Sequence, residues 1–307
     1  MTHEQKLLDA DNSIKTHGRS FFWATVFLPR ETKSEIQALY RFLRAVDDVV
    51  DSQEMSSEEK LSFLKTIEVS MDRENSGHPV IDDFRRFFTG SKLPKEVFMD
   101  FLKGMNTDIG TVRLKTDNDL LLYAYRVAGV VGTMMCAVLK VENPRYADHA
   151  IQLGIAMQLT NVARDVCEDA QRHRVYLPDE RVPHETVLAY YSGGEEKYAN
   201  AIMRAVRDLL ELAESYYERG IAGLVGVPWR ARFGILLAAR LYRAIGRKIK
   251  KVGNASLRTR VFVSGPEKVL HVAMTVVEFV LLFVVKKKPN HPRKLKSART
   301  LASWIIE

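Results

Sequence analysis

Apolar residues recur at three- and four-residue spacing in nearly every long segment of this 307-residue chain, while the strict alternation of a strand is scarce. A chain so patterned buries stripes of helix against one another, and the expectation is an all-α protein. The spacing predicts helices near residues 4–15, 31–51, 57–73, 80–88, 94–108, 117–139, 145–170, 185–192, 195–222, 229–252 and 266–285. Pro29 precedes the second of these and Ser56-Ser57-Glu58-Glu59 offers caps to the third. No linker, repeat or low-complexity tract divides the chain, so one helical domain over 1–285 and a basic tail over 286–307 are expected.

Two of these helices carry the chemistry. At 100° per residue, Tyr40, Arg44, Asp47 and Asp51 fall within roughly a 60° arc, amid apolar Leu39, Phe42, Leu43, Val46 and Val50. Gln158, Asn161, Asp165 and Asp169 fall within roughly an 80° arc beside Ile155, Leu159 and Val162. Asp47 and Asp165 stand 118 positions apart. A helix that buries most of its surface does not keep a line of charges without a use for them. Two carboxylate pairs facing each other form an all-oxygen site suited to Mg²⁺ or Mn²⁺ rather than zinc, and through the metal to a diphosphate. Asp48 lies beside the first pair, and Arg164 and Glu168 flank the second. Arg44 and Arg164, with some of Arg172, Arg174, Arg240, Arg243, Arg247 and Lys248, are candidates to neutralise a leaving diphosphate.

The net charge of +8 is unevenly placed: residues 1–218 carry 27 basic and 35 acidic side chains, residues 219–307 carry 19 and 3. The basic third suits phosphoesters or an anionic membrane surface. Nucleic acid is not expected, since neither zinc spacing nor an aromatic RNA-binding signature occurs. The apolar run 269–285, followed by Lys286-Lys287-Lys288, is at the lower limit of a bilayer span and contains His271 and Glu278, so a buried terminal helix is expected. Met1 to Ser20 has neither a secretory nor a transit pattern, and Cys136 and Cys167 are too few for a disulfide framework; both observations point to a cytoplasmic protein with buried thiols, peripheral contact with the inner membrane face being the one addition the basic third invites. In Val127-Ala128-Gly129-Val130-Val131-Gly132 the glycines call for a close approach to the backbone, by a neighbouring helix or by a hydrocarbon chain.

The run from Ser20-Phe21-Phe22 to Leu28-Pro29, then Tyr40 to Asp51, resembles the first signature of the squalene/phytoene synthase family. Gln158 to Asp169, continued by Arg174-Val175-Tyr176-Leu177-Pro178, is similar to the second, and Tyr125–Gly132 and Ala238–Arg247 match further family segments. The wording is most similar to that of the bacterial phytoene-forming members. The resemblance implies an isoprenoid-synthase-type helical bundle around a central cavity and a Mg²⁺-dependent prenyltransferase that joins two geranylgeranyl diphosphates head to head. Loss of one diphosphate gives an allylic cation; the second substrate's double bond attacks it to form a cyclopropylcarbinyl diphosphate, whose second ionisation and rearrangement gives phytoene after proton loss. By the same resemblance Asp47, Asp48, Asp51, Asn161, Asp165 and Asp169 hold the metal, and His17, Gly18, Arg19, Ser20, Tyr40, Arg44, Gln158, Asn161, Arg164 and Tyr242 contact diphosphate. Tyr123 matches a position near the reacting carbons. The alternatives are a C15-specific relative acting on farnesyl diphosphate and a non-catalytic helical assembly factor.

Overall fold

A computed structural model describes residues 28–73, 76–91, 93–141 and 143–284. The helices are α1 (Arg30–Val50), α2 (Ser57–Ser70), α3 (Pro79–Ser91), α4 (Lys95–Thr107), α5 (Asp117–Ala124), α6 (Val130–Val138), α7 (Arg145–Gln171), α8 (His184–Tyr191), α9 (Lys197–Ala222), α10 (Trp229–Val252) and α11 (Gly265–Val284). Two residue pairs, β1 (Val112–Arg113) and β2 (Arg174–Val175), form a short parallel ladder. The expected helix at 4–15 lies outside the described residues.

Local chemistry explains several ends. The capping box of α2 is made: the Glu59 amide donates to Ser56 Oγ at 3.2 Å, and the Ser56 amide to Glu59 Oε2 at 2.7 Å. On α1, Phe42 lies opposite the polar line. Its ring stacks on Phe84 of α3 at 3.8 Å between centroids and meets Phe98 and Phe101 of α4 at 6.3 and 6.1 Å. That phenylalanine cluster turns the acidic face of α1 away from the core. Truncating Phe42 to alanine would cost about 3–5 kcal/mol and free the rotation of the helix.

α7 is the central element, packed by α9, α6, α10, α8 and α5. The glycines admit it. A Cβ on Gly132 would stand 2.4 Å from the Ala150 carbonyl oxygen, and one on Gly154 would stand 2.3 Å from that of Ala128. A neighbouring helix, not a hydrocarbon chain, is therefore what approaches the backbone here. The expected continuous helix at 117–139 is interrupted by a π-turn at Tyr125–Gly129. This wider turn follows directly on Tyr123 and leaves both Tyr123 and Tyr125 buried.

After α7 the chain turns at His173, whose φ of 58° is left-handed. The β1–β2 ladder then pins residues 172–177 across the helix end, with the Val112 amide donating to the His173 carbonyl at 3.3 Å. The cysteines are free and half-buried rather than fully buried, and burial pushes the Cys136 thiol up to about 11. The buried terminal helix is corrected more sharply: α11 exposes most of its apolar residues, because its polar ones face α10.

Candidate active site: two acidic helices joined by an arginine strap

On α1, Arg44 takes both neighbouring acids, donating from Nη1 to Asp47 Oδ2 at 2.9 Å and from Nη2 to Asp48 Oδ1 at 2.6 Å. Asp51 caps the helix, and its carboxylate receives Arg172 at 3.2 Å and Arg174. The Asp47 side chain is about half exposed, yet the protein around it desolvates its carboxyl. That desolvation, with Asp51 one turn away, pushes its carboxyl up to about 6.

On α7, Asn161 Nδ2 donates to Gln158 Oε1 at 3.3 Å, while Asn161 Oδ1 is buried with no partner. Asp165 accepts from Arg164 Nε at 2.8 Å and from Arg260 Nε at 3.1 Å. One turn on, Asp169 shares a small cavity with Val162, Val166, Arg174 and Tyr176. Burial first, and then Asp165, push its carboxyl up to about 8. Tyr242 of α10 lies within electrostatic range of both Tyr40 and Arg164, so it links the two faces.

The strap closes the arrangement. Arg172 reaches Asp51 through Nη1 at 3.2 Å and Glu168 through Nη2 at 3.6 Å, tying the ends of α1 and α7 together. Arg174 also donates to the Val50 carbonyl at 3.3 Å, and its field acts on Asp47 and Asp169 alike. The strap thus ties the C-terminal ends of the two signatures together through Arg172 and Arg174.

A profile of the squalene/phytoene synthases matches residues 14–267. The chain belongs to the squalene/phytoene synthase family. It is 33% identical over 265 residues to a 15-cis-phytoene synthase of Enterobacter agglomerans, covering 83% of this chain and 90% of that one. It is likewise 33% identical over 275 residues to a phytoene synthase of Pseudescherichia vulneris, covering 86% and 89%. Among solved structures, a dehydrosqualene synthase superposes with a TM-score of 0.74 at 26% identity, covering 91% of this chain and 98% of that one. The fold is the isoprenoid-synthase type.

In this squalene/phytoene synthase, two residues near the site escaped sequence reasoning. Asp108, at the end of α4 and 8% exposed, accepts the Tyr176 hydroxyl on Oδ1 at 2.6 Å and the Tyr123 hydroxyl on Oδ2 at 3.1 Å. The two phenol rings stack at 4.7 Å. Burial pushes the Asp108 carboxyl up to about 7, against the two hydroxyls that favour its charge. Arg260 is the second, bridging Asp165 and Glu168 at 3.1 and 3.3 Å. Neither Asp108 nor Arg260 sits in a repeated pattern; each acquires its place only through tertiary contact.

Other basic candidates are used elsewhere. Arg240 pairs with Glu278 at 2.6 Å and Lys248 with Glu267 at 2.9 Å, both binding α10 to α11; Arg243 pairs with Glu214 of α9, and Arg247 reaches the same Glu214 at 4.0 Å. Tyr125 donates to Asp100 at 3.3 Å. His17 to Ser20 lie outside the described residues.

The family acts on prenyl diphosphates and generally depends on a divalent metal. Among the described residues no three acids converge on one ligating point; the guanidinium groups hold them instead. The donor set nevertheless fits a hard cation. It is all oxygen, two of its carboxyls are held above their ordinary range by burial and then by a neighbouring carboxylate, and Asn161 Oδ1 has an unused acceptor.

Proposed function

We propose that this protein is a 15-cis-phytoene synthase that joins two geranylgeranyl diphosphates head to head with Mg²⁺. One observation carries the reading: two acid-bearing helices are tied together at their ends by arginines, in a chain whose 33%-identical relatives are phytoene synthases. Asp47, Asp51, Asn161, Asp165 and Asp169 would hold the metal, with Asp48 adjacent. When bound, the divalent ions supply Lewis-acid neutralisation of the departing diphosphate.

The chain's own residues do the rest. Arg44, Arg164, Arg172, Arg174 and Arg260 are held by carboxylates that a cation would occupy, and so become available to phosphate oxygens. Tyr40 and Tyr242 orient the diphosphate from the flank. The stacked rings of Tyr123 and Tyr176 offer their π-faces to the developing carbocation, and the apolar wall of Val162 and Val166 excludes water. No protein nucleophile is needed.

The similarity to a dehydrosqualene synthase favours a second reading, in which farnesyl diphosphate is coupled. Incubating the purified protein with Mg²⁺ and each prenyl diphosphate separately decides between them. Phytoene from the C20 substrate is expected; a C30 product from the C15 substrate, with none from C20, overturns the assignment.

A further inference from the structure

Behind the acidic face of α7, the helices α7, α9 and α10 leave a second cavity of about 150 Å³, room for several waters or one small solute. Its floor includes Thr160 of α7, which stands roughly 200° round the helix from Gln158 and so on the opposite side from the line Gln158-Asn161-Asp165-Asp169. Thr160 and Tyr217 of α9 are both fully buried, with their hydroxyl oxygens 2.9 Å apart. A floor with two buried hydroxyls suits a wet or polar occupant, where a packing void would be lined by hydrocarbon alone.

The walls of this cavity are basic. Arg243, Arg247 and Lys250 follow one another at helical spacing along one side of α10, and Glu214 of α9 is the acid that meets them. Glu214 takes Arg243 through both carboxylate oxygens, Nε donating to Oε2 at 3.1 Å, and it lies 4.0 Å from Arg247. These cations hold its carboxyl below the ordinary range, the Arg243 hydrogen bond first. One carboxylate thus serves one guanidinium. Arg247 is 60% exposed at the rim, and Lys250 acts on Glu214 through its field, without the hydrogen bond that Arg243 makes. Like charges one turn apart destabilise a helix, so the fold tolerates this row against its own interest.

We propose that the cavity between α9 and α10 binds a phosphate dianion, free or as the head of a small soluble phosphoester, apart from the acidic site and without Mg²⁺. Charge and shape select this class. Three positive side chains and one negative line the cavity, a surplus of two, and a phosphate monoester carries about −1.5 to −2 at neutral pH. Guanidinium forks match phosphate oxygens in pairs, and the lysine adds a point charge beside them. The same surplus repels a free metal ion, and the charged walls do not suit a hydrocarbon. Diphosphate released by coupling and a phosphorylated small molecule from solution share the chemistry that this cavity recognises.

The test is calorimetric titration of the full chain in EDTA with inorganic phosphate, inorganic diphosphate and glycerol 3-phosphate in turn, and with succinate as a dicarboxylate for comparison. The parent should bind a phosphate compound at one site and more tightly than succinate; the tightest of the three identifies the source. R247Q/K250Q should bind it at least about tenfold more weakly at unchanged helicity. R204Q/K251Q removes the same charge from exposed positions off the cavity and should bind like the parent. Absence of binding in the parent, undiminished binding in R247Q/K250Q, equal weakening in both variants, or succinate held as tightly as phosphate would each overturn the proposal. Neither Mg²⁺ nor prenyl substrate is present in this titration, so a wrong substrate assignment leaves its result standing.

Discussion

α7 and α11 both carry acids at helical spacing among apolar residues, yet the two sets of acids live in opposite electrostatic states. Glu267 of α11 is pushed down to about 2 by Lys248 and the Ser264 amide, a carboxylate fully provided for within the fold. Asp169 of α7 is pushed up to about 8 by burial and by Asp165. The first acid completes a structural joint. The second is desolvated by more than Arg174 offsets, the state of an acid placed in a functional site rather than in a structural joint. The apolar residues divide the same way: those of α7 are buried around the site, and those of α11 are left outward.

The contrast can be broken most forcefully by removing acids from each helix. Asp165→Ala or Asp51→Ala should lower the rate of coupling by roughly a thousandfold or more while circular dichroism stays helical. Glu278→Gln should leave turnover within about twofold and cost about 0.5–1 kcal/mol in denaturant unfolding. A large kinetic effect from Glu278→Gln would erase the distinction. Next in size, Arg174→Met should reduce turnover by roughly 10- to 100-fold, since it removes the guanidinium that serves both signatures.

A smaller, pH-dependent effect sharpens the same point. Asp47 and Asp169 rise from the ordinary 3.8 to about 6 and about 8, so the folded protein holds these protons more tightly than the unfolded chain. Their contribution to stability is greatest below about pH 4 and is lost as pH rises through those two values. A bound divalent ion opposes that loss, and must displace protons to bind. The rise in Tm produced by Mg²⁺ with diphosphate should therefore grow between about pH 6 and 8; a pH-independent rise would contradict it. Asp108, which rises to about 7, gives the smallest effect. As pH climbs through that value, parent stability should fall relative to Asp108→Asn, read as a shift in the Tm difference.

Much of this was legible in the sequence because helical periodicity is local. The described helices fall within a few residues of their expected bounds, and the arcs of Tyr40-Arg44-Asp47-Asp51 and Gln158-Asn161-Asp165-Asp169 lie on the two helices whose ends the strap joins. What was hidden depends on partners far along the chain. The Asp108 carboxylate becomes significant only when Tyr123 and Tyr176 converge on it, and Arg260 only when the loop before α11 returns to α7. The π-turn at Tyr125–Gly129 follows from no propensity in those residues. The outward face of α11 was misjudged because its hydrophobicity read as core, whereas Arg240 and Lys248 claim its acids and turn the apolar side out.

The claim that the two signatures make a single metal-dependent diphosphate site is tested most directly by calorimetric titration of a non-reactive prenyl diphosphate analogue, with and without Mg²⁺, into the parent and the Asp51→Ala and Asp165→Ala variants. Binding that requires Mg²⁺ in the parent and is lost in both variants is the predicted result. Undiminished Mg²⁺-dependent binding in either variant would show that one helix suffices and contradict the account.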